Sequence, residues 1–167
     1  MIGKEYAIAM SRYNEWQNRN LYGCAAGLSD EARKADRGAF FKSIHATFSH
    51  LLWADMIWMS RFAGTPKPPG GLGQSSTIFD DFDTLARERI AMDASIIAWA
   101  RDVDPAWFSG DLTWWSGLLN AEVSRPKAQV VAHFFNHQTH HRGQAHAMLT
   151  AAGAKPDDTD LMLMEFA

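Results

Sequence analysis

Cysteine is nearly absent from this sequence, since Cys24 is the one example among 167 residues. A single cysteine excludes an intrachain disulfide and agrees with a reducing compartment. Long apolar runs are also missing. No uncharged stretch reaches the roughly 18 residues that a membrane-spanning helix needs, and charged residues stand near the N-terminus, where a signal peptide has its apolar core. We therefore expect a soluble, cytoplasmic protein that does not enter a membrane.

A strong excess of charge of either sign is lacking as well. The sequence has 16 Lys and Arg against 19 Asp and Glu, which gives a formal net charge of −3. Without a basic stripe to neutralise phosphates, binding of nucleic acid is not expected. What the sequence does contain is 47% hydrophobic residues and 21% charged residues. This length and composition predict one globular domain over residues 1–167.

Helical periodicity dominates the rest of the pattern. Apolar residues recur every three or four positions in four long segments, separated by loops rich in Gly and Pro. These segments cover about residues 5–26, 39–62, 78–103 and 124–152. Residues 107–124 lose this period and contain turn signals, so one or two short strands are expected there. The predicted fold is all-α, an up-and-down four-helix bundle with an irregular segment before the last long helix.

Five of the seven histidines lie within the fourteen residues "HFFNHQTHHRGQAH", residues 133–146. His137 and His141 fall on the predicted inward stripe of the fourth helix, where apolar side chains are usual. Residues four apart share a helix face, so their imidazoles can converge on one cation. His133 with His137 forms a competing pair of the same spacing. His140 and His146 are predicted to lie at the boundary or on the surface.

A third ligand for such an ion has to come from another helix, and the second predicted helix offers His45 and His50. His45 shares its face with large apolar residues and is typical of a histidine at the core boundary. His50 shares its face with small residues, which leave room for an ion, so it is the better candidate. The histidines can also be interpreted as hydrogen-bonded core residues or as a histidine-rich surface. Two inward imidazoles need a partner, however, and one ion satisfies both.

Two segments resemble the DinB family (DinB/YfiT-like) of bacterial helical-bundle metalloproteins. "IHATFSHLLWADMIWMSRF" is similar to the second helix of that family, with His50, Asp55 and Trp58 in the expected order. "HFFNHQTHHRGQAHAML" is similar to the fourth helix, which carries the pattern His-x-x-x-His-Arg-Gly-Gln. The resemblance covers nearly the whole chain, including the ending "DDTDLMLMEF". It implies that three ligands, His50, His137 and His141, hold a divalent metal ion.

The resemblance also carries expectations about activity. Some DinB-like proteins are S-transferases or isomerases that use a low-molecular-weight thiol, and the family favours homodimers. Imidazole suits several divalent ions, of which Zn or Ni is expected ahead of Mn or Fe. The resemblance implies coordination positions open to a small-molecule substrate. Such a site is typical of a metal-dependent transferase or hydrolase. The alternative is a non-catalytic metal-binding dimer that is structural or senses metal. The pair Trp114 and Trp115 could line a pocket or a subunit contact.

Several polar residues near these ligands have candidate supporting roles. Asp55 can orient a ligand imidazole, pair with Arg142 or join a local network, and Gln144 can hydrogen bond to a ligand. Arg142 points away from its neighbouring ligand, so a salt bridge is expected. Gly143 inside a helix predicts close contact with another helix.

Overall fold

Four long helices and one short helix make up most of the protein, and a β-hairpin precedes the last helix. The computed structural model describes residues 2–164. Residues 1 and 165–167, which include the end of the segment "DDTDLMLMEF", lie outside the described part. The helices are α1 (Lys4–Ala26), α2 (Asp30–Lys34), α3 (Ile44–Phe62), α4 (Phe82–Asp102) and α5 (Lys127–Ala151). The strands are β1 (Asp111–Ser116) and β2 (Ala121–Pro126), which pair antiparallel. The predicted all-α bundle with a short irregular segment is confirmed.

Local capping explains where several helices begin and end. Helix α1 ends at Gly27, as predicted, and the Ser29 side chain accepts a hydrogen bond from the Ala32 N–H at the start of α2. The Asp81 carboxylate accepts one from the Thr84 N–H and begins α4. Helix α4 therefore begins four residues later than the predicted start of the third helix at residue 78, because an N-cap side chain fixes the first turn more strongly than apolar spacing does.

The start of α3 differs from the prediction by five residues. The predicted helix began at residue 39, but α3 begins at Ile44, after Ser43 caps the Ala46 N–H. Before it, Lys42 has a φ of 67°, which no helical residue adopts, and its N–H donates to Ala39 O over 2.7 Å. The apolar spacing across this turn imitates a helix. The prediction of a helix over residues 39–43 is wrong.

The four long helices pack α1 against α4 and α5, and α3 against the same two helices. Their buried apolar residues form two clusters rather than one. On α3, Phe48 and Leu52 belong to one cluster, and Met59 and Phe62 belong to the other. Asp55 lies between them and is fully buried. The core is therefore divided across the middle of the bundle.

A buried polar layer separates the two apolar clusters on every long helix. Each member is at most 4% exposed. The members are Asn14 and Asn18 on α1, Asp55 on α3, Arg89 and Asp93 on α4, and Gln138 and Arg142 on α5. Two arginines and two aspartates give the layer balanced formal charges. Buried charges are tolerated only when paired and hydrogen bonded, so the layer has to be satisfied as a unit.

Arg89 is the centre of that layer. Its Nη1 donates to Asp55 Oδ2 over 2.6 Å, and its Nη2 lies 2.8 Å from Asp93 Oδ1. Asn14 and Asn18 each donate to Asp93 Oδ1 over 2.9 Å. Burial by itself would lower the pKa of Arg89, but the carboxylates of Asp93 and Asp55 outweigh it and raise that pKa. The layer thus ties α1, α3 and α4 together through one guanidinium.

The hairpin separates the two adjacent tryptophans onto opposite faces. Trp114 pairs with Val123, and Trp115 pairs with Glu122. The Trp114 ring packs edge-on against Trp58 of α3, with 5.4 Å between centroids, whereas Trp115 is 63% exposed. The strands predicted within residues 107–124 are therefore present. Across residues 2–164, none of the helices has both the length and the apolar character required to cross a membrane.

Candidate metal centre

Three imidazoles from two adjacent helices meet at one point. His50 lies on α3, and His137 and His141 lie one turn apart on α5. His137 Nε2 is 3.3 Å from His50 Nε2 and 3.1 Å from His141 Nε2. All three candidate ligand atoms lie within 4.8 Å of one another. Among residues 2–164, this is the one group of three or more such side chains arranged to hold an ion.

Ser75 determines which nitrogen of His50 carries the proton. The Ser75 hydroxyl donates its one proton to Leu72 O over 2.8 Å. Toward His50 Nδ1, also 2.8 Å away, the same oxygen acts as the acceptor. His50 Nδ1 therefore carries hydrogen, and the Nε2 lone pair points into the cluster. This is the tautomer that a metal ligand requires.

Gln144 has the same effect on His141. His141 Nδ1 donates to Gln144 Oε1 over 2.8 Å. The amide nitrogen of Gln144 lies 3.2 Å from His140 Nε2, which fixes the orientation of the amide. The Nε2 lone pair of His141 therefore also points into the cluster. A hydrogen-bond partner for a ligand was expected at Gln144, and its contact with His141 is of that kind.

The donor set fits a divalent cation. With His50 and His141 both protonated on Nδ1, their lone pairs meet, and His137 can supply a proton to only one of them. Two nitrogens bound tetrahedrally at about 2.0–2.1 Å from one ion lie roughly 3.3 Å apart, close to the observed separations of 3.3 and 3.1 Å. These two separations are therefore compatible with ligands around a shared ion.

Burial keeps these imidazoles neutral, which is the form that binds metal. Desolvation, with a smaller contribution from His141, lowers the pKa of His50 to about 4. Desolvation, followed by the neighbouring histidines, lowers the pKa of His137 to about 3. Burial also lowers the pKa of His141. At neutral pH none of the three rings therefore carries a second proton.

Aromatic side chains form one wall of the centre. Phe41 stacks on the His50 ring, with 4.0 Å between centroids and 25° between planes, and its centroid is 5.4 Å from that of His141. Trp53 Nε1 donates to Pro69 O over 3.2 Å and holds the loop after α3 against this side. His50 and His141 are buried, whereas His137 is half-buried. The centre is thus enclosed by Phe41 and reached past His137.

The structure shows the contacts of Asp55, Arg142 and Gly143, for which supporting roles were predicted. Asp55 accepts hydrogen bonds from Arg89 and Gln138 rather than from an imidazole, so its contacts match membership of a local network. Arg142 donates to the Asn14 side chain, and within residues 2–164 it forms no ion pair, so the predicted salt bridge is wrong. Gly143 is exposed, and an added Cβ would meet nothing within 4 Å, so the predicted close helix contact is wrong as well.

The remaining histidines lie outside the cluster. His45 is buried and its Nε2 donates to Phe79 O over 2.6 Å, as a histidine at the core boundary can. His133 is exposed and packs edge-on against Trp58, so it does not join His137 at the centre. His140 is exposed and His146 is half-buried, in line with their predicted surface positions.

Two residues of the site were missed by sequence reasoning. Ser75 lies in a segment that carried only a loop signal, and nothing in its neighbours marks it as a partner of His50, 25 residues away. Phe41 lies within residues 39–62, where the apolar spacing predicts a helix with Phe41 on its apolar stripe. The positive φ at Lys42 instead turns the chain and lets Phe41 lie over the histidines.

A four-helix bundle with three imidazoles converging between two adjacent helices defines a class of helical proteins with a candidate site for one metal ion. Comparison with known sequences agrees with this class. The sequence model of the DinB family matches residues 1–167, and the chain belongs to this family. It is 24% identical over 170 residues to "Protein DinB" of Bacillus subtilis (strain 168), covering 97% of this chain and 95% of that protein.

Proposed function

We propose that the protein is a metal-dependent enzyme that transfers a low-molecular-weight thiol to a small electrophile, or hydrolyses a small substrate. One observation carries the proposal: three imidazole nitrogens converge, and two of them are held by Ser75 and Gln144 in the tautomer that binds a cation. Imidazole ligands suit Zn and Ni, ahead of Mn or Fe. The DinB-like resemblance supports the thiol.

The number of ligands favours catalysis over a structural role. Structural zinc sites are usually closed by four protein ligands, whereas catalytic sites have three and an open position. In residues 2–164, no fourth His, Cys, Asp or Glu joins the group. A divalent ion in this position supplies Lewis acidity, which makes a thiol or water acidic near neutral pH. Phe41 and Trp53 exclude water from one side, so a substrate approaches past half-buried His137.

Metal content tests the proposal. Untagged protein is analysed by plasma mass spectrometry beside His50→Ala, His137→Ala and His141→Ala, with His146→Ala as the control. His146 is on the same helix but outside the cluster and its hydrogen-bond partners, so its loss leaves the cluster intact. We expect about one ion per chain in the parent and the control, and loss of the ion in the other three variants. A parent that holds no ion after reconstitution would refute the proposal.

Turnover separates the enzyme from a non-catalytic metal-binding protein. The loaded protein is screened with thiols and electrophiles, and the His137→Ala variant serves as the blank. Metal-dependent product supports the enzyme. An ion that exchanges no solvent, and whose removal unfolds the chain without any turnover, would support the structural or sensing role instead.

A further inference from the structure

Arg61, near the end of α3, packs against two indole rings that meet edge-on. Its guanidinium carbon lies 4.4 Å from the centroid of the Trp58 ring and 5.3 Å from that of Trp114. Cation–π contacts of this kind hold a guanidinium against the rings without using its N–H donors, which stay free to bind an anion. Burial lowers the pKa of Arg61 to about 10, so the side chain stays charged at neutral pH.

The charge on Arg61 has no anionic partner within residues 2–164. Arg89 has the carboxylates of Asp55 and Asp93, and Arg142 has a side-chain amide oxygen. For Arg61, no hydrogen bond to an acceptor and no ion pair is formed in this part of the chain, and the two rings are its partners. A half-buried guanidinium without an acceptor is a site at which an external carboxylate or phosphate replaces lost solvation.

Arg61 lies on the same face of α3 as His50 of the histidine cluster. Arg61 follows His50 by eleven residues, about three helical turns, so both project from the same face of α3. The Trp58 ring is 5.4 Å from that of His133, which is 5.8 Å from that of His137. His133 is exposed, and Trp58 and His137 are half-buried, so solvent reaches this row. The row leads from the open side of the candidate metal centre to the guanidinium.

We propose that Arg61, held by Trp58 and Trp114, is the anion-binding subsite of the reaction centre and selects a substrate or thiol that carries a carboxylate. The inference rests on the proposed function, because it assigns a second contact to the molecule that reacts at the histidine cluster. The Arg61 guanidinium lies over the Trp58 ring. His50 and Trp58 are eight residues apart, or about 12 Å along the helix. The anionic group is therefore several bonds away from the reacting atom, and His133 and Trp58 flank the chain between them.

Binding of matched ligands tests this subsite. Calorimetry is run on metal-loaded protein with 8-mercaptooctanoate, neutral 8-mercaptooctanol and short 3-mercaptopropionate. The parent is compared with Arg61→Gln, Arg61→Lys and the control Arg87→Gln, an exposed arginine on α4. We expect Arg61→Gln to weaken binding of 8-mercaptooctanoate by about tenfold or more, the usual effect of losing a charged hydrogen bond. The alcohol and the short acid should bind equally to both proteins.

The lysine variant excludes a loss of packing as the cause. Arg61→Lys should recover part of the affinity for 8-mercaptooctanoate, because it keeps the charge, while Arg87→Gln should match the parent. Unchanged binding of 8-mercaptooctanoate in Arg61→Gln would overturn the subsite even if the thiols still require the metal. Equal weakening of acid and alcohol would also overturn it, since that pattern reports lost packing.

A metal-independent measurement separates this inference from the proposed function. Octanoate, which unlike 8-mercaptooctanoate has no thiol, is titrated into metal-free parent and Arg61→Gln while tryptophan fluorescence, to which Trp58 and Trp114 contribute, is recorded. A response that depends on Arg61 supports the subsite even where no thiol binds the loaded protein, an outcome that would count against the proposed thiol chemistry alone. The absence of an Arg61-dependent response in both titrations overturns the subsite.

Discussion

The Ser75 hydroxyl sets the tautomer of His50, the candidate ligand on α3. An imidazole has two nitrogens, and only the hydrogen bond made by one determines whether the other presents a lone pair. The Ser75 hydroxyl has given its proton to Leu72 O, so it can only accept from His50 Nδ1. The Nε2 lone pair of His50 therefore faces the cluster, as the proposed metal site requires.

Removing this hydroxyl should weaken metal binding without removing a ligand. For Ser75→Ala we expect a 10–100-fold loss of metal affinity, the usual effect of losing the partner of a ligating histidine. A competition titration against a chelator measures it. The matched control is Ser76→Ala, the next residue in the same loop, whose side chain forms no hydrogen bond within residues 2–164. Equal affinities for the two variants would contradict the role given to Ser75.

The sequence predicts the cluster better than it predicts the surroundings of the cluster. His137 and His141 share a helix face because spacing in a helix fixes direction. The small neighbours of His50 favour it as the third member, and the resemblance favours the pair His137 and His141 over His133 and His137. The contact between Ser75 and His50 depends on the path of a loop, which no periodicity encodes. The position of Phe41 depends on one left-handed residue, Lys42. Single backbone angles of that kind are not visible in a pattern of apolar residues.

At the level of helices, the polar layer determines how the four long segments register against one another. Apolar stripes alone allow a helix to slide by a turn, since one turn of apolar side chains replaces another. Arg89 does not allow this, because it has to meet Asp55 of α3 and Asp93 of its own helix together. Gln138 of α5 donates to the same Asp55 over 3.0 Å. The layer fixes the axial position of α3 relative to α5, and with it the meeting of the histidines.

Loss of the central guanidinium should destabilise the bundle. For Arg89→Met we expect the free energy of unfolding to fall by roughly 3–5 kcal/mol, because two carboxylates are left buried without their partner. Urea denaturation followed by circular dichroism measures the change. Arg87→Met, an exposed position one half-turn earlier on α4, is the control and should change stability little. A similar loss in both variants would show that the layer contributes nothing special.

The layer was largely outside the reach of sequence analysis. The number, order and approximate extent of the helices follow from apolar spacing, whereas the start of α4 depends on the cap at Asp81, which that spacing does not mark. The charged members of the layer, however, read as surface residues of amphipathic helices. Only Asp55 was noticed as a carboxylate that needs an explanation. Partners on three different helices become visible only when the helices are packed.

For the whole molecule, the buried histidines make stability depend on pH. The pKa values of about 4 for His50 and about 3 for His137 lie below the ordinary value of 6.5. The unfolded chain therefore binds more protons than the folded chain below pH 6.5, and stability falls as the pH drops from about 6.5 toward 4. His141 contributes in the same direction.

Urea denaturation of metal-free protein at pH 7.5 and pH 5 measures this effect. We expect a clearly lower midpoint at pH 5, and a smaller difference in His137→Gln, which removes the most strongly shifted group. Carboxylates with lowered pKa values, such as Asp30 and Asp81, titrate below this window. Burial raises the pKa of Asp55, which acts in the opposite direction but equally in parent and variant, so the difference between the two proteins reports the histidine. A parent and a variant with the same pH dependence would contradict this account.

Assembly and location of the protein stay predictions. The homodimer and the cytoplasmic location were expected from the resemblance and from the composition. Light scattering on purified protein measures the mass in solution, and a chain of 18.7 kDa should appear at twice that mass if the homodimer forms. A mass of one chain across the working range of concentrations would contradict it.

The distance along the chain between the ligands gives the candidate ion a second consequence. His50 and His137 are 87 residues apart, so an ion shared by them closes more than half of the chain into a loop. In the chain-entropy description, a cross-link over a loop of this size restricts the unfolded state by roughly 4–5 kcal/mol. With Cys24 alone, the chain cannot form an internal disulfide, and the ion would act as a reversible cross-link. Chelation would then remove that cross-link and lower the melting temperature.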